Sequence, residues 1–173
     1  MESSMLGTKS NVSKHVLSDK WVLWAHLPHD TDWSLKSYIK IREINSLEEI
    51  VLLQGVIPEK MIKNCMLFLM KKDVNPTWED PRNKEGGCFS FKISNKNVCQ
   101  GWNKLFINLA ANNISNNEKL LSQVTGITIS PKKTFCIIKI WMETLEFQSV
   151  HLFNNISYLS IHGCLFKRHN YKT

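Results

Sequence analysis

Val124-Thr125-Gly126-Ile127-Thr128-Ile129-Ser130, then Pro131-Lys132-Lys133-Thr134, then Phe135-Cys136-Ile137-Ile138-Lys139-Ile140-Trp141 is the stretch that decides the fold class. Two apolar runs of strand length flank a short polar link, which reads as an antiparallel hairpin with a basic tip. Other segments have the same character. Trp21 to Leu27 alternates as a strand does, and Pro28 to Asp32 reads as a loop. Tyr38 to Ile44 sets Ile39 and Ile41 against Lys40 and Arg42, the pattern of a half-buried strand. Cys65 to Met70 is a short apolar run, Cys88 to Ile93 alternates, and Tyr158 to Phe166 reads as a last strand.

Helical signals are fewer. Ser46-Leu47-Glu48-Glu49 is a capping-box pattern, with Ser46 as N-cap and Glu49 reaching back. It predicts a helix with Leu47, Ile50 and Val51 on one side, ending near Gly55. Trp102, Leu105, Phe106, Leu109 and Ala110 fall at the spacing of one helix face. Phe147 to Ile156 reads as a weaker helix. Strands outnumber helices, and most adjacent strands are joined by loops. The expected architecture is α+β: an antiparallel sheet with helices on one face and the other face free for a ligand.

The 173 residues make one domain by length and can bury a core without metal or disulfide staples. Residues 1–14 read as a flexible tail before a single domain over 15–173. Five cysteines, with no C-x-x-C pair, argue against a disulfide framework and for a reducing, cytoplasmic setting. No apolar run approaches the roughly 20 residues needed to span a bilayer, so no membrane partner is expected. A net charge of +7 favours anionic partners such as nucleic acid.

Of six tryptophans, Trp21, Trp24, Trp102 and Trp141 fall in regular elements, where packing is the default. Trp33 and Trp78 fall in polar loops. A large apolar side chain in such a loop either tucks back onto the core or waits for a ligand. Two of them, in a basic chain with an open sheet face, suggest a base-stacking site.

Pro76-Thr77-Trp78-Glu79-Asp80-Pro81-Arg82-Asn83-Lys84-Glu85-Gly86-Gly87 closely resembles the Trp-Glu-Asp-x-x-Asn-Lys-x-Gly-Gly segment of the eukaryotic translation initiation factor 4E family. His15-x-Leu17-x-x-x-Trp21-x-Leu23-Trp24 resembles that family's opening strand, Val124-Thr125-Gly126 its Val-x-Gly strand, and Ile140-Trp141 a later strand end. The resemblance runs in order from Lys14 to about Trp141 and marks a divergent member, with a viral or parasite source among the possibilities. It implies a curved antiparallel sheet with about three helices on its convex back and an mRNA cap site on its concave front.

The resemblance also implies roles. Trp33 and Trp78 would sandwich 7-methylguanine, whose positive charge adds cation–π attraction to stacking. Glu79 would accept charge-assisted hydrogen bonds from the guanine edge, and Trp141 would wall the methyl group. Lys132 matches the family's hairpin arginine. The following lysine positions fall at Thr134 and Ile137, and a post-glycine arginine at Cys88, so Lys133, Arg82, Lys84, Lys167 and Arg168 become the candidate phosphate ligands. On the back, the family docks Tyr-x-x-x-x-Leu helices of scaffold and repressor proteins. The matching positions here are His15, Val16, Leu47, Val51, Asn103, Lys104 and Ile107. Val51 lacks the family's tryptophan and Lys104 reverses an acid, which implies a divergent scaffold of the initiation factor 4G type.

The implied function is cap binding in translation initiation, with no cofactor. Two alternatives are a cap-sequestering regulator and a general single-stranded RNA module; the latter does not explain a carboxylate directly after Trp78. An enzyme reading has only His26-Leu27-Pro28-His29 and His162-Gly163-Cys164, neither of which makes a metal set or a triad.

Overall fold

The computed structural model describes residues 14–170, so the expectation for the tail lies, apart from Lys14, outside the described residues. The elements are β1 (Val16–His26), β2 (Tyr38–Ser46), α1 (Leu47–Val56), α2 (Glu59–Asn64), β3 (Met66–Lys71), β4 (Gly87–Ser94), α3 (Val98–Ala110), α4 (Glu118–Gln123), β5 (Val124–Pro131), β6 (Phe135–Met142) and β7 (Leu165–Arg168). They build one seven-stranded antiparallel sheet in the order β2-β1-β3-β5-β6-β4-β7. Register shifts in the β1–β2 and β5–β6 pairs bend the sheet, as bulges do.

Period-two alternation divides the side chains between two layers. Leu23, Leu69, Phe89, Phe91, Ile127, Ile129, Ile138 and Ile140 face the helices and join Ile50, Trp102, Leu105, Phe106 and Leu109 in the main core. Phe68, Met70, Val74, Cys88 and Trp141, with Trp24, Tyr38 and Met66 against them, form a smaller cluster on the opposite face. Among the described residues that second face carries no helix in front of it and is where a ligand can sit.

α1 starts as its sequence dictates, with one change. The Glu49 N–H donates to the Ser46 hydroxyl at 3.4 Å, but the Glu49 carboxylate reaches past Ser46 and accepts from the Asn45 N–H at 2.6 Å. Ile50 and Leu53 are buried whereas Val51 is exposed, so the apolar side of α1 is not the expected one.

Three more expectations are corrected. Ile39 and Ile41 are exposed, because β2 is an edge strand and its first half has no layer over it. Phe147 to Ile156 forms only the 3₁₀ turn Val150–Leu152. Its backbone is bonded from outside, by the Ser115 hydroxyl to Leu152 O and by Asn154 N–H to Ile114 O, in place of a helical ladder. The last strand is confined to Leu165–Arg168, since Tyr158 takes φ +73° and Gly163 φ +77°, which no strand holds. There are four α-helices among the described residues; α2 and α4, six residues each, are too short for periodicity to reveal.

Candidate functional site

Antiparallel partners share a face, so the register lays out the open side of the sheet in rows. One row runs Trp24, Phe68, Thr128, Lys139, Ser90, Leu165 across β1, β3, β5, β6, β4 and β7. The next runs Val22, Met70, Gly126, Trp141, Cys88, Lys167. Trp141 is nearly buried, its indole N–H donates to the Thr128 hydroxyl at 3.2 Å, and its ring lies 4.5 Å from that of His169. The floor is thus aromatic under Trp24, Phe68 and Trp141, and basic toward β6 and β7.

The loop between β3 and β4 owes its shape to residues that do not face the ligand side. Asp80 is buried, and its carboxylate accepts from the N–H groups of Asn75 and Arg82, both at 2.9 Å. Asn83 is fully buried. Its amide donates to Asn75 O and Thr77 O at 3.2 and 2.8 Å and accepts from the Thr125 hydroxyl at 2.8 Å. These bonds leave Trp78 and Glu79 exposed. The two glycines that follow are compulsory for packing: a Cβ on Gly86 would run into the Met142 carbonyl, and one on Gly87 into the Lys167 carbonyl. So much of the Trp-Glu-Asp-x-x-Asn-Lys-x-Gly-Gly pattern is the scaffold of a loop whose first two residues point away from the core.

Arg82, a candidate phosphate ligand, is part of that scaffold. Its guanidinium holds the Glu143 carboxylate through two bonds, 3.1 and 2.8 Å. The pairing keeps Arg82 firmly charged and holds the Glu143 carboxyl below the usual carboxylate range.

Trp33 sits in the β1–β2 loop, 56% exposed, and stacks on His26 with 4.1 Å between ring centroids and 1° between planes. His26 Nε2 lies 2.8 Å from Asp32 O, and Asp32 in turn accepts from the N–H and hydroxyl of Ser34. His26 also meets Tyr38 edge-on at 5.2 Å, and Tyr38 meets Phe68 in the same way. Burial pushes the Tyr38 phenol up, and the nearby Glu79 carboxylate pushes it further. Tyr38 thus meets His26 directly, whereas Glu79 acts on it through its charge alone.

Two concavities lie near these loops. The larger, about 470 Å³, is lined by Trp78, Trp141 and His169 together with Lys132, Lys139, Lys167 and Arg168, and no carboxylate lines it. The smaller, about 230 Å³, holds Trp33, His26, Met66 and Pro131. The β5–β6 hairpin is their shared rim, with Pro131 on one side and Ser130 and Lys132 on the other. The geometry thus gathers Trp78, Trp141, Lys132, Lys167 and Arg168 and sets Trp33 on the adjoining side. Lys133 and Lys84 are exposed and do not line the larger cleft. Sequence reasoning missed Lys139 and His169. Lys139 stands two residues from Trp141 on one strand, so alternation alone puts both on the same face. Burial first and the Lys139 charge second pull the His169 imidazole down to about 4.

The model of the family described as Eukaryotic initiation factor 4E matches residues 16–162. The chain belongs to that family. As a member of the initiation factor 4E family it is 27% identical over 140 residues to eukaryotic translation initiation factor 4E of Eremothecium gossypii, covering 77% of this chain and 64% of that protein. It is 26% identical to the Saccharomyces cerevisiae factor, covering 76% and 63%, and 26% identical to an initiation factor 4E homolog of Acanthamoeba polyphaga mimivirus, covering 66% and 50%. The chain thus spans about five-eighths or less of these relatives' lengths. Its fold matches a schistosome eIF4E complexed with m7GpppA and 4E-BP (TM-score 0.68, 20% identity, 76% and 73% covered). It also matches C. elegans eIF4E-3 in complex with the 4E-binding protein Mextli and cap analog (TM-score 0.71, 17% identity, 81% and 80% covered).

The back carries the other expected residues of this family member. His15 closes onto Glu48, with Nδ1 2.6 Å from the carboxylate, and holds the Glu48 carboxyl down to about 2. Leu47 is half-buried against the core. Gln54 of α1 donates to Asn103 O of α3 at 2.8 Å, which sets the two helices side by side. Val16, Val51 and Ile107 are exposed there, and so are Leu52 and Val56, which sequence reasoning did not single out. Lys104 is exposed on α3. Among the described residues no group of three or more His, Cys, Asp or Glu could hold a metal, and no helix is long and apolar enough to cross a membrane.

Proposed function

We propose that this chain binds the 7-methylguanosine cap of mRNA on the open face of its sheet and acts in translation initiation. Family membership supports the class of ligand. The observation that carries the reading for these residues is a cleft that joins Trp78 and Trp141 to four cations and no acid, with Trp33 across the same hairpin rim. In this reading the open indole face of Trp33 and the indole of Trp78 take the two sides of the base. A base between them gains stacking, and the N7-methyl charge adds a cation–π term that unmethylated guanine lacks. Glu79 takes the N1–H and exocyclic amine of guanine, a donor pair that adenine does not present. Trp141 walls the methyl group, and Lys132, Lys167 and Arg168 take the phosphates.

The chain acts as a binding module in the cytoplasm, without a cofactor and without catalysis of its own, and its described residues form one domain. Its back docks a scaffold of the initiation factor 4G type through Val16, Leu47, Val51 and Ile107, with Lys104 selecting against basic helices.

Titration of intrinsic fluorescence with 7-methyl-GTP, GTP and ATP tests the reading. Quenching by the methylated ligand at concentrations at least tenfold below those for the others is the expected result. Equal affinity for GTP and 7-methyl-GTP, or none for either, would sink it.

A further inference from the structure

We infer that Lys139 is a phosphate-contacting residue of the cleft, its ammonium gripping the phosphate chain from the floor of the sheet while Lys132, Lys167 and Arg168 close on it from the rim; this rests on the cap reading above.

The placement follows from the backbone. Ile138 and Ile140, on either side of Lys139, are fully buried in the helix-side core. Alternation therefore sends Lys139 to the open face, in the row of Thr128 and Ser90 and one step along β6 from Trp141. Two residues along a strand span about 7 Å. A base whose methyl group rests against Trp141 thus has its phosphates within reach of Lys139. Thr128 and Ser90 are small, so nothing beside Lys139 on β5 or β4 blocks its ammonium from standing into the cleft.

Lys139 also differs from its companions. Lys132 stands at the tip of a hairpin and Lys167 and Arg168 on the edge strand β7, where a cation is easily solvated. Lys139 is on the inner strand β6, partly shielded, at the margin of an aromatic floor. It lines the cleft together with Cys88, Trp141 and His169. Among the described residues it makes no ion pair, and neither do Lys132, Lys167 or Arg168. Four cations that share one cleft without an acid repel one another. Such an arrangement is relieved by an anion of several charges, and a triphosphate fits that description better than a single phosphate.

The test compares the unmodified protein, Lys139→Met and Lys139→Arg on 7-methyl-GTP and 7-methyl-GMP by competition, with thermal melting as the check on folding. Lys139→Met should lose roughly tenfold in affinity for the triphosphate, the scale of one charge-assisted bond. It should lose clearly less for the monophosphate, and Lys139→Arg should restore most of the difference. Unchanged triphosphate binding by the Met variant, or equal losses on both ligands, overturns the role of Lys139. Failure of the unmodified protein to bind either ligand instead removes the cap reading, and the Lys139 inference with it.

Discussion

The Trp33 indole lies parallel to the His26 imidazole, 4.1 Å between centroids, so one of its two faces is already taken and the other is open. His26 acts as a backing plate for the Trp33 ring. Trp33→Ala is expected to cost about 1–3 kcal/mol of cap affinity, and Trp78→Ala a similar amount. His26→Ala should cost less, because it loosens the ring without removing it. Titrations of the three variants with 7-methyl-GTP check the order; a His26 effect as large as that of Trp33 would mean that the imidazole itself meets the ligand.

Glu79 has two readouts. Its removal should weaken binding of 7-methyl-GTP by roughly 1.5–3 kcal/mol in Glu79→Ala and by less in Glu79→Gln, since the amide still accepts one bond. Either variant also withdraws a negative charge from beside Tyr38, so the phenol should titrate at lower pH than in the unmodified protein. Ultraviolet titration of tyrosine follows this without any ligand. A Tyr38 titration that does not move would place the carboxylate elsewhere.

His169 gives the fold a pH dependence. Its folded value of about 4 lies below the ordinary 6.5, because the buried ring resists charging. Between those values the unfolded chain binds the proton more readily. The stability tied to this group is complete above pH 6.5, declines as pH falls toward about 4, and levels off below that. Melting temperatures of His169→Gln across this window should therefore fall less steeply than those of the unmodified protein. Parallel curves would show that the ring is free to protonate in the folded state.

Asn83 and Arg82 should behave as structural residues. Asn83→Ala leaves the Thr125 hydroxyl and two carbonyls without their partner and is expected to cost about 2–3 kcal/mol of stability. Arg82→Met breaks a partly exposed pair worth roughly 1 kcal/mol or less. Neither should alter the ratio of triphosphate to monophosphate affinity. A selective loss for the triphosphate in Arg82→Met would return Arg82 to the phosphate site.

The back of the molecule predicts an altered partner. Val51 is 65% exposed beside α3, and Lys104 is exposed on α3. A Tyr-x-x-x-x-Leu peptide loses an aromatic anchor at Val51, a change often worth about 2 kcal/mol or more at an interface centre. Calorimetry with such a peptide should show weak or no binding to the unmodified protein and a gain in Val51→Trp/Lys104→Glu. Tight binding to the unmodified protein would overturn this.

The sheet was legible because its strands alternate cleanly, and α3 because its apolar face repeats over thirteen residues. What failed has physical reasons. Ile39 and Ile41 alternate correctly but lie on an uncovered edge, and periodicity does not tell an edge from a centre. Val51 is apolar at helical spacing, yet Ile50 and Leu53 take the core, leaving it outside. At the site, loop tryptophans announced themselves by their polar neighbours. Arg82 did not announce its partner, because Glu143 is sixty-one residues away. Lys139 was readable from alternation with Trp141 and was overlooked because lysine in a strand usually reads as solvent-facing.

The loop that presents Trp78 is riveted to the body of the fold through Asn83–Thr125 and Arg82–Glu143, whereas the side-chain hydrogen bonds of the Trp33 loop run among its own residues and to His26 at its base. On the cap reading, the base would be gripped by a vice with one fixed jaw and one sprung jaw. Ordering on capture falls mainly on the sprung side, where each immobilised side chain costs roughly 0.5–1.5 kcal/mol. Stiffening that side, by a proline where the backbone already suits one, slows release of the ligand more than it speeds arrival. The same change made beside Trp78 has little left to stiffen.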